Sequence, residues 1–197
     1  MAHDYETRVL QDLAEHDAFM ALLRAENVRS YLELGLGSGG SLWRIANSLP
    51  SGSRVVGLDL HIVSAHKNRA NIEDGVSRLI GRGYDTHLIA GNSTDPLIIA
   101  KARALSPFDC IFIDGCHDYD AVKADWDNYR DMGRMIAFHD ISWNETWVSK
   151  VPGRVTRPMG VPRLWDEIKG DHRHREIRLY SKRNYYGIGV LWRDNNV

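Results

Sequence analysis

The sequence has little of what marks secreted, membrane-spanning or nucleic-acid-binding proteins. It contains two cysteines, Cys110 and Cys116, whose spacing forms neither a C-x-x-C redox motif nor a zinc knuckle, so we expect two free thiols. No apolar run approaches the roughly 18 residues that a membrane span needs, and residues 1–6 lack the basic and apolar regions of a signal peptide. A net charge of -1 argues against a surface that binds nucleic acid. These absences predict a cytoplasmic protein that binds neither membrane nor nucleic acid.

The chain also lacks a linker. Its 197 residues fit around one hydrophobic core, and no Pro/Gly/Ser-rich or charge-biased stretch divides them. We therefore predict one domain over residues 1–197, opening with an amphipathic helix within 1–28. Residues 142–170 include a stretch with neither helical nor strand periodicity, which contains Trp143 and Trp147, and we predict a lid or insertion there.

Short apolar runs alternate with segments of helical spacing along the rest of the chain. The runs are bounded by glycine, aspartate or polar residues and predict buried strands, at 31–34, 55–58, 86–90, 110–113 and 135–138. Helices are predicted at 41–48, 65–80, 95–105 and 118–132, with a further one from Pro162 and two final strands at 175–180 and 185–192. This order predicts an α/β fold, a Rossmann-like, doubly wound, mostly parallel seven-stranded sheet with a C-terminal antiparallel hairpin.

A glycine-rich loop follows the first predicted strand. Gly35, Gly37 and Gly40 allow the backbone to turn tightly and to approach a ligand closely. Asp59 ends the next strand, where an acidic side chain accepts hydrogen bonds from ribose hydroxyls. The pattern indicates a nucleotide-type ligand. The alternative is a plain strand-to-helix turn, with Asp59 as a solvated strand end or a helix cap.

Glu33 separates two cofactors that fit this loop. The glycines also match G-x-G-x-x-G, the weak signature of NAD. A dinucleotide places its pyrophosphate at the helix N-terminus, where a neighbouring carboxylate is unfavourable. S-adenosylmethionine (SAM) carries an ammonium and a sulfonium and no phosphate. An acidic residue immediately before the first glycine therefore favours SAM.

The arrangement Glu-x-Gly-x-Gly-x-Gly followed by Asp59 resembles the first two motifs of class I SAM-dependent methyltransferases, a family that adds a terminal hairpin to its sheet. The resemblance implies that Asn92 and Ser93 lie beside the adenine and that Asp114 lies near the methionine end. The cofactor-binding residues that it implies are Glu33, Gly35, Leu36, Gly37, Ser38, Gly39, Asp59, Asn92, Ser93 and Asp114.

A second group of polar residues follows the fourth and fifth predicted strands. The sequence Asp-Gly-x-His-x-Tyr from Asp114, a helix, and then His139-Asp140 looks like the metal-using small-molecule and sugar O-methyltransferases. These include the group related to the cephalosporin-biosynthesis and macrolide methyltransferases. The resemblance implies Asp114 and Asp140 as Mg²⁺ ligands, with His139 in the place of a further acid. It also implies His117 as the catalytic base, with Asp114 beside it.

The sequence departs from that pattern at His139. Mg²⁺ prefers carboxylate and water oxygens, so a histidine ligand would shift the preference towards Mn²⁺ or Zn²⁺. Metal use therefore stays open. Structural alternatives also stay open, with His117 as a helix-end histidine, His139 as a core histidine bonded to backbone, and Asp118 and Asp120 as helix caps.

The combined expectation is a SAM-dependent methyltransferase with a small-molecule acceptor. A hydroxyl oxygen of a sugar or natural product is implied by the resemblance alone. One alternative is an NAD(P)-dependent oxidoreductase. Another is a non-catalytic protein of the same fold that acts by association, with the apolar face of residues 5–26 as the interface, and a homo-oligomer stays open in either case.

Overall fold

The computed structural model describes residues 11–60, 69–142, 146–147, 157–179 and 186–193. Parts of four predicted segments lie outside these residues. They are the beginning of the N-terminal helix, the beginning of the helix at 65–80, most of the loop after 142, and the turn at 180–185.

A seven-stranded sheet organises the described residues. Its strands in chain order are β1 (Ser30–Leu34), β2 (Arg54–Asp59), β3 (Asp85–Ala90), β4 (Phe108–Ile113), β5 (Gly133–His139), β8 (Arg173–Ile177) and β9 (Ile188–Trp192). They lie in the order β3-β2-β1-β4-β5-β9-β8. The first five are parallel, and β9 runs antiparallel to both β5 and β8. The predicted Rossmann-like sheet with its terminal hairpin is confirmed.

Two very short strands, β6 (Thr146–Trp147) and β7 (Arg157–Pro158), pair antiparallel in a separate sheet that the sequence did not predict. The helices are α1 (Leu13–Ala25), α2 (Gly40–Ser48), α3 (Arg69–Gly81), α4 (Pro96–Ala104), α5 (Tyr119–Tyr129) and α6 (Val161–Ile168). Short 3-10 turns at Arg130–Met132 and Lys169–Asp171 extend the last two. No helix in the described part of the chain combines the length and the apolar character needed to cross a bilayer.

Helices cover both faces of the sheet, and each face has its own hydrophobic cluster. Phe19 and Leu23 of α1 and Ile45 of α2 are fully buried on one face, together with apolar residues of α3. On the other face, the apolar stripes of α4, α5 and α6 bury Tyr129 and Trp165. Two clusters on opposite faces are the expected construction of a doubly wound sheet.

Part of the predicted lid belongs to this second layer. Residues 161–168 form α6, and Val161, Leu164 and Trp165 on one face of that helix are buried in the cluster with α5 and β5. These residues pack on the sheet through a helical apolar stripe, and the lid or insertion over 142–170 stays a prediction for the residues before them. Trp143 and the side chain of Trp147, which belong to the predicted lid, lie outside what the structure describes.

Candidate active site

A crevice opens where the winding of the sheet changes direction. Strands β1 and β4 are neighbours in the centre, and the chain proceeds outwards from them on both sides, so their carboxyl ends leave space for a ligand. A cavity of about 660 Å³ lies at this place. Nearly all of the predicted site residues line it, namely Gly35, Leu36, Gly37, Ser38, Asp59, Asn92, Ser93, Asp114, His117, His139 and Asp140. Glu33 and Gly39 are the two that do not.

The glycine loop passes very close to the end of β4. Gly35 has a φ of +87°, and its N–H donates to the carbonyl of Leu58 at 2.9 Å. A Cβ at this position would lie 2.3 Å from the carbonyl oxygen of Asp114. Only glycine fits both the backbone angle and this approach. Gly39 is the N-cap of α2 and faces Ile72 of α3, which explains why it lies away from the crevice.

Asp59 connects the end of β2 to this loop. The N–H of Leu36 donates to Asp59 Oδ2 at 2.7 Å, and the side chain is buried at the crevice wall. A carboxylate in this position both fixes the loop and presents an acidic edge to the cavity. The simple alternative of a solvated strand end does not describe it.

Glu33 does not line the crevice itself, but it lies directly behind Ser41, which does. Because side chains alternate along a strand, Glu33 shares the face of Tyr31, whose hydroxyl donates to Glu33 Oε2 at 2.8 Å. Ser41 Oγ donates to the same oxygen at 3.3 Å, and Ser41 lines the crevice. Glu33 Oε1 is buried and has no hydrogen-bond partner among the described residues. Burial raises the pKa of Glu33 to about 8.

The expected direct contact between Glu33 and a ligand ammonium is therefore not available in this arrangement. The carboxylate acts on the crevice through Ser41, one hydroxyl away. His16 supports the same hydroxyl, with Nε2 lying 3.1 Å from Ser41 Oγ, and burial together with Arg44 lowers the pKa of His16 to about 4. His16 is consequently a neutral partner at physiological pH.

Two aspartates and two histidines form a compact cluster at the ends of β4 and β5. His117 Nδ1 lies 3.0 Å from Asp140 Oδ2, and His117 Nε2 lies 3.6 Å from Asp114 Oδ1. His139 Nδ1 lies 3.1 Å from Asp114 Oδ1 and 3.2 Å from Asp140 Oδ1. Asp140 has a φ of +63°, a conformation that aspartate tolerates better than most residues. This turn after β5 allows its carboxylate to contact both imidazoles.

The four residues of this cluster strongly change one another's pKa values. Burial would lower the pKa of His117, but hydrogen bonds with Asp114 and Asp140 outweigh it and raise the pKa to about 9. Burial likewise opposes a charge on His139, and the two carboxylates still hold its pKa well above the ordinary value. The histidines in turn hold the pKa of both carboxyl groups below the usual range. These directions favour charged imidazoles beside charged carboxylates in this cluster.

The predicted metal ligands do not fit a metal ion in this arrangement. Within the described ranges, no group of three or more His, Cys, Asp and Glu side chains is placed to hold one. The carboxylates instead face N–H donors, since Gln11 donates to Asp114 Oδ2, and His139 lies between Asp114 and Asp140. An imidazolium thus stands where the resemblance implies a cation.

Besides Ser41, the sequence analysis missed three further polar or aromatic residues that line the crevice. Asp125 is a buried carboxylate on α5, and its signal was an acidic residue within the apolar stripe of a helix. Gln11 precedes α1 and Tyr186 precedes β9. The Tyr186 ring stacks on that of His139 with centroids 5.6 Å apart. No local pattern marks Gln11 or Tyr186, because the fold brings them in from distant parts of the chain.

Comparison with known proteins gives one family. Residues 32–141 of this chain, more than half of it, match a family model described as a methyltransferase domain. Comparison with curated proteins found no match.

Several solved structures have the same fold. An O-methyltransferase from Bacillus cereus in complex with SAH is 20% identical, with a TM-score of 0.67, over 93% of this chain and 82% of that chain. The O-methyltransferase TomG from Streptomyces achromogenes, involved in tomaymycin synthesis and in complex with SAM, is 18% identical with a TM-score of 0.65, over 96% and 86%. A putative caffeoyl-CoA O-methyltransferase from Staphylococcus aureus is 14% identical with a TM-score of 0.64, over 94% and 86%. At these identities the likeness is one of fold.

Proposed function

The chain belongs to the methyltransferase-domain family, and we propose that it transfers a methyl group from SAM to a hydroxyl oxygen of a small molecule, such as a sugar or another natural product. The observation that carries this proposal is one crevice that joins a glycine loop and Asp59 to the cluster formed by Asp114, His117, His139 and Asp140. The first part suits a nucleoside with a cationic tail, and the second suits an acceptor that must lose a proton. TomG and the Bacillus cereus enzyme were solved with SAM and SAH in this fold.

The cofactor would lie along the crevice with its ribose at Asp59. The loop from Gly35 to Ser38 lies where the methionine tail would pass, and Ser41 is the hydroxyl through which Glu33 would stabilise the ammonium. Asn92 and Ser93 follow β3 and would border the adenine. SAM carries no phosphate, so none of these positions has to use the helix terminus as a phosphate site.

The acceptor would lie at the cluster. Methyl transfer is an in-line displacement, so most of the catalysis comes from aligning the acceptor oxygen with the methyl carbon while water is excluded. The S–CH₃ bond breaks as the O–CH₃ bond forms, and the hydroxyl proton has to be accepted. His117 is the most exposed of the four cluster residues at 31%, so its imidazolium would first release a proton to solvent, and the neutral ring would then accept the hydroxyl proton. Asp140, whose Oδ2 lies 3.0 Å from His117 Nδ1, would orient the ring with Asp114 beside it, and the carboxylates that raise its pKa make it a stronger base once its own proton has left.

The decisive experiment compares cofactor binding with turnover. Calorimetry should show that the wild type binds S-adenosylhomocysteine (SAH). The wild type should also convert SAM to SAH when a panel of sugars and phenols is supplied as acceptors. His117→Ala should bind SAH with similar affinity and lose turnover, by about 10²–10⁴-fold for the loss of a general base. His174→Ala, which removes an exposed histidine of β8, is the matched control.

Two results would overturn different parts of this proposal. A wild type that gives no heat with SAM or SAH contradicts the methyl-donor assignment. A His117→Ala variant with unchanged turnover removes His117 as the base while leaving the methyl transfer in place.

A further inference from the structure

Asp125 is a buried acid for which the reaction described above has no use. It lies in the middle of α5, on the face that carries Val122, Trp126 and Tyr129, and it is 3% exposed. Aspartate is rarely buried without a partner, and it is a poor residue for the interior of a helix. A position that packing alone would fill with an apolar side chain therefore holds a carboxylate.

The surroundings of Asp125 place it at the end of the crevice near β3. It lines the cavity together with Ser93 and Gly115. The side chain of Ser93 is hydrogen-bonded to its carboxyl group, and a Cβ on Gly115 would lie 3.5 Å from Asp125 Oδ2. One turn further along α5, the Tyr129 hydroxyl donates to the carbonyl of Ser93 at 2.8 Å. Two contacts, one of them made by Asp125, thus fix α5 against the loop after β3.

The carboxyl group is only half satisfied by the protein. Asp125 Oδ1 is buried and has no hydrogen-bond partner among the described residues, and burial raises the pKa of Asp125 to about 6. At neutral pH the group is therefore mostly an anion that can only accept hydrogen bonds. A buried acceptor with no donor is costly, so a ligand that supplies a donor at this point gains affinity.

We propose that Asp125 recognises the exocyclic amino group of the cofactor's adenine and thereby selects adenine over other purines. This inference rests on the proposed function, which puts the nucleoside in this crevice with its base beside Asn92 and Ser93. The amino group of adenine is a donor, whereas a hypoxanthine carries a carbonyl acceptor at the same carbon. A side chain that can only accept can bond to the amino group of adenine but not to the carbonyl of hypoxanthine.

The test uses two ligands, SAH and its deaminated analogue S-inosylhomocysteine, in calorimetry with wild-type protein. The wild type should bind SAH at least about tenfold more tightly, because a hydrogen bond to a charged group contributes about 1.5–3 kcal/mol. Asp125→Asn has the same shape and its amide can donate to the carbonyl of hypoxanthine. The variant should lose that preference or reverse it. Asp120→Asn, at an exposed position on the same helix, should keep it.

A structural role for Asp125 gives a different result. If the carboxylate only anchors Ser93, Asp125→Asn will weaken both ligands equally and the ratio of their affinities will stay at the wild-type value, which overturns the inference. A wild type that binds both ligands equally overturns it without any variant. A wild type that binds neither contradicts the proposed function instead.

Discussion

A carboxylate enclosed by protein changes the pH dependence of stability, and Glu33 is such a group. It is fully buried, two hydroxyls bond one of its oxygens, and its pKa rises from 4.5 to about 8. The folded protein therefore holds this proton more tightly than the unfolded chain does. The resulting stabilisation is complete below the unfolded pKa and is lost as the pH rises through the folded pKa.

Glu33→Gln removes this titration while keeping the shape and a hydrogen-bonding side chain. From about pH 5 to about pH 9, the free energy of unfolding of the wild type should fall relative to that of the variant by up to a few kcal/mol. Urea unfolding at several pH values measures it. Glu73→Gln, at an exposed position on α3, should follow the wild type. Parallel curves for the wild type and Glu33→Gln would show that Glu33 is ionised in the folded protein.

His139 determines whether the cluster can hold a metal. Its imidazole lies within 3.2 Å of a carboxylate oxygen of both Asp114 and Asp140. His139→Asp would put a third carboxylate beside the two, which is the kind of ligand that Mg²⁺ and Mn²⁺ prefer. We expect the wild type to give no binding heat with either ion and the variant to bind Mn²⁺.

The variant should also be less stable than the wild type until the ion is added, because three neighbouring carboxylates repel one another. His174→Asp, which introduces a carboxylate at an exposed position on β8, is the control and should bind no ion. Tight Mg²⁺ or Mn²⁺ binding by the wild type would show that the side chains rearrange around a cation.

The residues at strand ends were predictable, and the reason is geometric. Carboxyl ends of neighbouring parallel strands meet at one edge, so Asp114, His117, His139 and Asp140 could be grouped from their positions alone. Their mutual bonding could not, because the same residue types suit either a metal or an ion-pair cluster. The sequence analysis missed Asp125 for another reason. A helical pattern shows which face of a helix is buried but not which ligand that face contacts.

At the scale of elements, the junction between β1 and α2 depends on how closely the loop approaches β4. Gly35→Ala adds a Cβ 2.3 Å from the carbonyl oxygen of Asp114, at a φ of +87°. Gly52 has nearly the same φ, +80°, but a Cβ there meets nothing within 4 Å. The pair separates the cost of the backbone angle from the cost of the contact.

Both alanine variants should lose the roughly 1–2 kcal/mol of a left-handed residue with a side chain. Gly35→Ala should lose about 1–3 kcal/mol more through overpacking, and it should also weaken SAH binding because the loop has to move. Chemical denaturation and calorimetry measure the two effects. Equal losses of stability for the two variants would mean that the loop moves to accommodate the added methyl group without any further cost in stability.

Strands and helices were predicted nearly to their ends because their signals are local. The five parallel strands were each found within a residue or two of the observed bounds, as at Cys110–Ile113 against Phe108–Ile113. The position of β9 between β5 and β8 depends on contacts that are not local, and the sequence analysis did not predict it. The helix predicted from Pro162 is present as α6, Val161–Ile168, and it packs as a core helix within the segment predicted as a lid or insertion.

At the scale of the whole molecule, distant parts of the chain close the crevice together. Gln11 reaches Asp114 from a position before α1, and Tyr186 stacks on His139 from a position before β9. Glu15 connects α1 to the residues that follow β8 and precede β9, since its carboxylate accepts from the N–H groups of Leu179 at 3.1 Å and Gly187 at 2.9 Å. A ligand in this crevice therefore stabilises contacts across most of the sheet.

The global unfolding transition should accordingly report which cofactor the crevice accepts. A ligand that binds only the folded state at 100 times its Kd stabilises it by about 2.7 kcal/mol, which for a protein of this size raises the unfolding midpoint by roughly 5 to 10 °C. We expect this shift with SAH and none with NADH, because Asp59 already accepts the Leu36 N–H of the glycine loop and places a carboxylate where a pyrophosphate would have to lie. His117→Ala should show the same shift, since its loss affects the acceptor end alone. A midpoint that rises with NADH and stays constant with SAH would reverse the choice between the two cofactors, and it would do so independently of any acceptor.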